Sequence, residues 1–356
     1  MNKFGNMDIC EKFMARCLDI AAGGIGFTAP NPMVGAVIVG SDGAIIGEGF
    51  HRCFGEAHAE VNAIRSVKDE KMLKNSTMYV NLEPCSHYGK TPPCVELIIA
   101  KAIPRVVIAC RDPFPEVAGR GIKMLHDAGI DVVMGVMEDE ARTLNRYFIT
   151  AHEKRRPYVI LKWAQSEDGF IDNVRIDDKM PPVMLSTPLT RMMVHRLRSE
   201  VQAIMVGTNT AILDNPSLTV RHWPGKSPLR VIIDRNRRIP QDHKIFTDKN
   251  DTLVFGDKSD DPDKIMSELY KRDIHSLLVE GGSQLHRSFI EKSLWDEIIV
   301  ETAPIRLKEG VKAADFRSES NVQLFDKQTF IYHTQEDVRM SIIEKFHNCD
   351  NQKNIV

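Results

Sequence analysis

No stretch of this 356-residue chain is apolar over the length needed to cross a membrane. The opening run, Met1 to Asp8, has no apolar signal-peptide core. Both absences point to a protein that works in water, with the cytoplasm as the expected compartment. There is no long basic block either, and the formal net charge is only -2. That argues against an extended nucleic-acid surface, though not against a small local one. Internal repeats and low-complexity segments are lacking as well. The seven cysteines are an odd number scattered along a long chain, which is no disulfide framework and suits a reducing environment. What remains is ordinary globular material, 42% hydrophobic and 27% charged, and long enough for two domains with real cores.

Against that background one constellation stands out. His58-Ala59-Glu60 is followed by Pro84-Cys85-Ser86-His87-Tyr88-Gly89-Lys90-Thr91-Pro92-Pro93-Cys94. One imidazole and two thiolates hold zinc with a fourth position left for water, whose pKa then falls to about 7. A nearby carboxylate, Glu60, can move that water's proton. His-x-Glu followed by Pro-Cys-x-x-Cys is the pattern of zinc nucleobase deaminases. Here the second thiol comes nine residues after the first, so the loop is enlarged. Two plainer readings stay open on the residues alone. The cysteines are buried small hydrophobes, or the zinc is structural, with His87 as its fourth ligand.

The pattern along the chain alternates helix and strand. Asp8–Ala22 reads as an amphipathic helix ended by Gly23-Gly24. Met33–Val39 and Ala44–Phe50 read as strands joined at Ser41-Asp42-Gly43. A helix over Ala57–Lys68 carries His58 in its first turn. Thr77–Asn81 is a short strand, and Pro92-Pro93 opens a helix over Cys94–Ala102. Arg105–Ala109 and Asp131–Val136 are strands on either side of a helix over Gly121–Ala128. Both ligand segments therefore follow strands, and a helix N-terminus favours thiolate at Cys94.

A second domain is expected beyond about residue 150, after the basic run Lys154-Arg155-Arg156-Pro157. Tyr158–Trp163, Ala203–Gly207, Leu229–Asp234, Thr252–Phe255 and Ser276–Glu280 read as strands. Leu189–Ser199, Asp261–Lys271 and Gln284–Ser293 read as helices, which makes this half α/β too. Thr329–His333 and Val338–Lys345 are candidate closing strands. Val279-Glu280-Gly281-Gly282-Ser283 ends a strand and opens a helix, a turn that brings backbone N–H groups toward a phosphate, or is simply a turn. Asp214-Asn215-Pro216 through Arg221, Arg198 and Lys162 are each unremarkable alone.

Taken together, these motifs resemble one family along nearly the whole chain, the bifunctional riboflavin-biosynthesis deaminase–reductases. Asn31-Pro32-Met33-Val34-Gly35, Gly49-Phe50-His51, Gly55-Glu56-Ala57-His58-Ala59-Glu60 and Leu82 through Cys94 carry the likeness in the first half. Arg111-Asp112-Pro113 and Val117-Ala118-Gly119-Arg120-Gly121 close that block. In the second half the likeness rests on Lys162, Ser166-Glu167-Asp168-Gly169, His195-Arg196-Leu197-Arg198, Val206 to Thr210, Asp214 to Arg221, Asp234, and Val279 to Ser283. One segment departs. Met180-Pro181-Pro182-Val183-Met184-Leu185-Ser186 stands where the family has Gly-(Asp/Glu)-Ser-x-Trp-Ile-Thr. Pro182 and Met184 thus replace a substrate-touching Ser and a cofactor-lining Trp, and those contacts are not carried over.

The resemblance implies a cytidine-deaminase-like three-layer α/β/α domain over residues 1–150 and a dihydrofolate-reductase-like α/β domain over 151–356. It implies zinc on His58, Cys85 and Cys94 with Glu60 catalytic, and substrate contacts from Asn31, His51, His87 and Lys90. In the second domain it implies NADPH, with Lys162, Asp214 and Glu280 near the reacting centre. Arg198, Leu218, Arg221 and Glu280 fall on the substrate side. Ala164, Thr210, Asp214, Gly282, Ser283, Gln284, Leu285, His286, Arg287 and Ser288 fall on the cofactor side. Arg235, just after a strand, is a candidate for the cofactor's 2′-phosphate. The implied reactions are hydrolytic deamination of 2,5-diamino-6-(5-phosphoribosylamino)pyrimidin-4(3H)-one, then reduction of its ribosyl group to ribityl, in a homo-oligomer. The rivals are a deaminase acting on another base or nucleoside, and a deaminase fused to a catalytically silent nucleotide-binding domain.

Overall fold

The computed structural model describes residues 9–88, 92–114, 118–256, 261–316, 322–324 and 329–333. The chain divides into two compact units between Glu153 and Lys154. Lys90 and the expected strand Val338–Lys345 lie outside the described residues.

The first unit is built on a sheet in the order β2-β1-β3-β4-β5. Its strands are β1 (Gly35–Val39), β2 (Ile45–Phe50), β3 (Thr77–Leu82), β4 (Arg105–Cys110) and β5 (Asp131–Met134). β1 pairs antiparallel with β2 and β3, while β3, β4 and β5 run parallel. The helices are α1 (Ile9–Ala21), α2 (Ala59–Ser66), α3 (Cys94–Ala100), α4 (Arg120–Asp127), α5 (Glu138–Leu144) and α6 (Arg146–Lys154). Alternate strand residues feed two cores. Ala36, Ile38, Met78, Val80, Val106 and Ile108 meet α2, α3 and α4 on one face. Val37, Val39, Tyr79, Val107 and Ala109 meet α1 and α5 on the other, completing three layers. α2 lies so close to β2 that a Cβ on Gly49 would come within 2.5 Å of the Ala63 backbone nitrogen. Only glycine permits that approach, and it sets where His58 and Glu60 enter the site.

The second unit begins with β6 (Tyr158–Ser166) and β7 (Phe170–Asp172). α7 (Pro188–Glu200), β8 (Ala203–Val206), α8 (Thr208–Asp214), β9 (Leu229–Ile233), α9 (Lys244–Thr247) and β10 (Thr252–Phe255) follow. Then come α10 (Pro262–Lys271), β11 (Ser276–Gly281), α11 (Ser283–Glu291), β12 (Glu297–Ala303), β13 (Val311–Lys312), β14 (Val322–Leu324) and β15 (Thr329–His333). Its main sheet has the order β10-β9-β8-β11-β6-β12-β15-β14. The first six strands in that order are parallel, β15 is antiparallel to β12, and β14 is antiparallel to β15. Val159, Leu161, Trp163, Met205, Leu277, Val279, Ile298 and Val300 pack one core with Leu269, Leu285 and Phe289. β12 is absent from the sequence reading, yet it is a direct neighbour of β6 in the sheet.

Candidate active sites

In the first unit the three expected ligands converge. His58 is the N-cap of α2, with extended backbone. Cys94 is the first residue of α3, after Pro93 has fixed the entry. Cys85 lies three residues past the end of β3, and its carbonyl accepts from Val95 N at 3.3 Å. The His58 Nδ1 to Cys85 Sγ distance is 3.6 Å and His58 Nδ1 to Cys94 Sγ is 3.3 Å. All three ligand atoms lie within 4.8 Å of one another. Ligands of a tetrahedral zinc stand about 3.5–3.8 Å apart, and the two His58–cysteine distances match that spacing to within a few tenths of an ångström. Cys94 and His58 hydrogen bonds pull the Cys85 thiol down to about 4, while Cys94 is pushed up by its bond to Cys85 and by burial.

Glu60, in the first turn of α2, is 3% exposed. Burial, and then the charge of Cys85, raise its pKa. His51 is also buried, its ring meeting His58 edge-on at 5.5 Å between centroids. Asn31 Nδ2 and His51 Nε2 are 3.2 Å apart, and His51 Nδ1 is 3.2 Å from the Ala57 carbonyl. His87 is exposed and faces the Phe114 ring at 6.2 Å.

Three residues that the sequence reading passed over frame this centre. Asn81 Oδ1 accepts from Gly35 N at 2.7 Å and Asn145 Oδ1 from Met33 N at 2.7 Å, fixing the segment that carries Asn31. Glu83 is 3% exposed and accepts from the backbone N–H groups of Asp112, Gly119, Gly121 and Ile122 at 3.0–3.3 Å. It fastens the start of α4 against the loop that holds Cys85. Gly121 seals the contact, since a Cβ there would meet the Pro84 carbonyl at 2.4 Å. The signal for Glu83 was its place in a run matched along its length. Its acceptor role depends on N–H groups 29–39 residues away.

In the second unit, Lys162 on β6 and Glu280 on β11 lie on the sheet face opposite the main core, at the same level, because Leu161 pairs with Val279. Arg198, near the end of α7, closes on Glu280 with Nε to Oε1 at 2.8 Å and Nη2 to Oε2 at 2.6 Å. Its Nη1 donates to the Thr219 carbonyl at 3.2 Å. Burial works against the Glu280 charge, but Arg198 and Lys162 hold its pKa below the ordinary carboxylate range. Arg221 stands close enough to Arg198 that burial and this like charge lower its pKa. His195 Nδ1 accepts from Arg221 N at 3.0 Å. Burial and the two arginines push that ring's pKa down to about 4.

Asp214 is placed differently. It is ion-paired with Arg175, which also holds Asp172 Oδ2 at 2.6 Å. Leu218 is buried and has a φ of +54°, a left-handed conformation uncommon for leucine. Thr210 stands against Gly282, where a Cβ would meet its Oγ1 at 3.2 Å. Gly282 is the N-cap of α11 and Ser283 its first residue. Leu285 and His286 of the same run point into the core, whereas Gln284 and Arg287 are exposed. Ala164 lies on the Lys162 face of β6, and Arg235 is exposed just beyond β9. Met184, in the departing segment, is 61% exposed. No helix among the described residues is long and apolar enough to cross a membrane.

Comparison with known proteins agrees with both halves. Residues 7–110 match the cytidine and deoxycytidylate deaminase zinc-binding region. Residues 157–329 match the RibD C-terminal domain. The riboflavin biosynthesis protein RibD of Aquifex aeolicus is 38% identical over 86% of this chain and 90% of its own length. That of Escherichia coli is 37% identical over 83% and 87%. Among solved structures, a diaminohydroxyphosphoribosylaminopyrimidine deaminase/5-amino-6-(5-phosphoribosylamino)uracil reductase from Thermotoga maritima covers 91% of this chain and 97% of its own. It is 37% identical, with a TM-score of 0.82. The Acinetobacter baumannii RibD covers 92% and 99% at 34% identity, with a TM-score of 0.81. The chain therefore belongs to the RibD family, the bifunctional deaminase–reductases of riboflavin biosynthesis.

Proposed function

We propose that the first unit hydrolyses the 2-amino group of 2,5-diamino-6-(5-phosphoribosylamino)pyrimidin-4(3H)-one, and that the second reduces the product's ribosyl group to ribityl with NADPH. The observation that carries the reading is the convergence of His58, Cys85 and Cys94 within 4.8 Å of one another. His58, Cys85 and Cys94 would hold zinc. A zinc ion with an open position supplies Lewis acidity, so that water is a nucleophile near neutral pH. Glu60, buried in the first turn of α2, takes a proton from the attacking water. It returns one to the departing amine, so that water and the amine exchange for a carbonyl and ammonia. Asn31 and His51, already paired, orient the pyrimidine ring. His87 borders it, and Lys90 meets the ribose phosphate.

Bound in the second unit, NADPH would supply the hydride that reduces the ring-opened ribosyl group at its sugar carbon, with the accompanying proton drawn from solvent. Lys162 and Glu280 address the reacting end; Asp214, ion-paired with Arg175, is assigned to that end from the family resemblance. Arg221 addresses the phosphate, where guanidinium geometry suits bidentate contact, and Arg198, its own bidentate edge taken by Glu280, adds its charge beside it. Gly282 and Ser283 offer backbone N–H groups at the start of α11, beside Thr210. Ala164 borders the nicotinamide, and exposed Arg235 reaches the 2′-phosphate.

The test is ammonia release from the diaminopyrimidine by the purified protein, before and after zinc is stripped with a chelator. The reading expects release to stop on stripping and return on adding zinc. Undiminished release from metal-free protein would contradict it.

A further inference from the structure

We propose that Glu301, held by Ser186 and Thr190, is a positioning residue for Lys162 in the reductase site. The inference rests on the reading of Lys162 given above. β12 lies beside β6, with Ile299 paired to Lys162 and Glu301 to Ala164. Paired residues share a sheet face, so Glu301 projects on the side of Lys162, away from the apolar core.

Its carboxylate is 2% exposed. Oε1 accepts from Thr190 Oγ1 at 2.7 Å and Oε2 from Ser186 Oγ at 2.7 Å. Two hydroxyl bonds satisfy lone pairs but leave the charge unmatched, and a buried charge needs a counter-ion. The Lys162 ammonium provides it, with Nζ 3.6 Å from Oε2. Glu280, on the opposite side of Lys162, is already closed by Arg198. Lys162 thus stands between half-buried Glu280 and buried Glu301, and among the described residues only Glu280 is paired with an arginine. α7 fastens both, through Thr190 in its first turn and Arg198 near its end. A four-carbon side chain with free torsions would otherwise wander, and small misplacements of a reacting group are costly in rate.

Glu301 lies on β12, which sequence patterning passed over, and Ser186 belongs to the segment that departs from the family pattern.

The test uses the full-length protein, with the deaminated uracil intermediate and NADPH. For Glu301→Gln, kcat for NADPH oxidation should fall about tenfold or more while the KM for NADPH stays within about twofold. Glu301→Asp, which restores the charge at shorter reach, should recover part of the loss. Ammonia release in both variants should match the unmodified protein and serves as the control for folding. A kcat within about twofold of wild type for Glu301→Gln, where Lys162→Met has lost oxidation, overturns the inference alone. Full oxidation by Lys162→Met overturns the reading of Lys162, and the inference with it. If Glu301→Gln does not fold, Ser186→Ala carries the test. It removes one bond and keeps the charge, and an unchanged kcat there counts against the proposal.

Discussion

Two buried glutamates in the first unit have the same side chain and different duties, and their partners explain why. Glu83 faces four backbone N–H donors, which suit a carboxylate and nothing else. Burial and then the Cys85 charge raise the pKa of Glu60, which suits a group that takes up a proton and gives it back. Glu83→Gln would aim an amide N–H₂ at N–H donors. We expect it to lower stability by about 2–3 kcal/mol, read as a drop in Tm, with zinc restoring part of the loss. Glu60→Gln should instead keep full zinc by elemental analysis and lose ammonia release by about a hundredfold or more. Cys85→Ala should lose the metal itself. Retention of stoichiometric zinc in Cys85→Ala would refute the ligand assignment, and near-normal release by Glu60→Gln would refute the proton shuttle.

At the scale of elements, α11 couples the reductase core to pH. His286 is 1% exposed, its Nε2 bonds the Val279 carbonyl at 3.0 Å, and its buried Nδ1 has no partner. Burial therefore lowers its pKa from 6.5 to about 4. Above pH 6.5 the ring is neutral in both folded and unfolded chains. As pH falls below that value the unfolded chain binds a proton that the folded unit refuses. Stability then declines by up to about 1.4 kcal/mol per pH unit, until the folded ring titrates too. Unfolding measured at pH 7 and pH 5 should show a shallower loss for His286→Gln than for the parent, and equal slopes would contradict this account.

The same scale shows what the sequence made legible. α3 and α10 were readable because Pro92-Pro93 and Asp261-Pro262 mark their starts, and β10 because an apolar run is bounded by polar residues. β12 was not readable. Glu297 and Glu301 interrupt its apolar run, whereas parallel strands covered on both faces read as continuous apolar residues. The groups that make Glu301 tolerable, Ser186, Thr190 and Lys162, are more than a hundred residues away. α5, α6 and α8 are only seven to nine residues long and are absent from the sequence reading. The ligand set was legible because the pattern itself is local. The Arg198–Glu280 and Arg175–Asp214 pairs were not, since each joins segments far apart in the chain.

At the scale of the whole molecule, the candidate deaminase residues all precede Glu153, and the candidate reductase residues all follow it. Nothing in the proposed reductase chemistry draws on the metal-ligand set, so the two activities should fail separately. The most direct test of this account is NADPH oxidation with the deaminated uracil intermediate, measured at 340 nm in the parent protein, in Glu60→Gln and in Lys162→Met. The account predicts undiminished oxidation by Glu60→Gln, which no longer deaminates, and its loss in Lys162→Met, which still releases ammonia from the diaminopyrimidine. Absence of NADPH oxidation by the parent protein with that intermediate would contradict it.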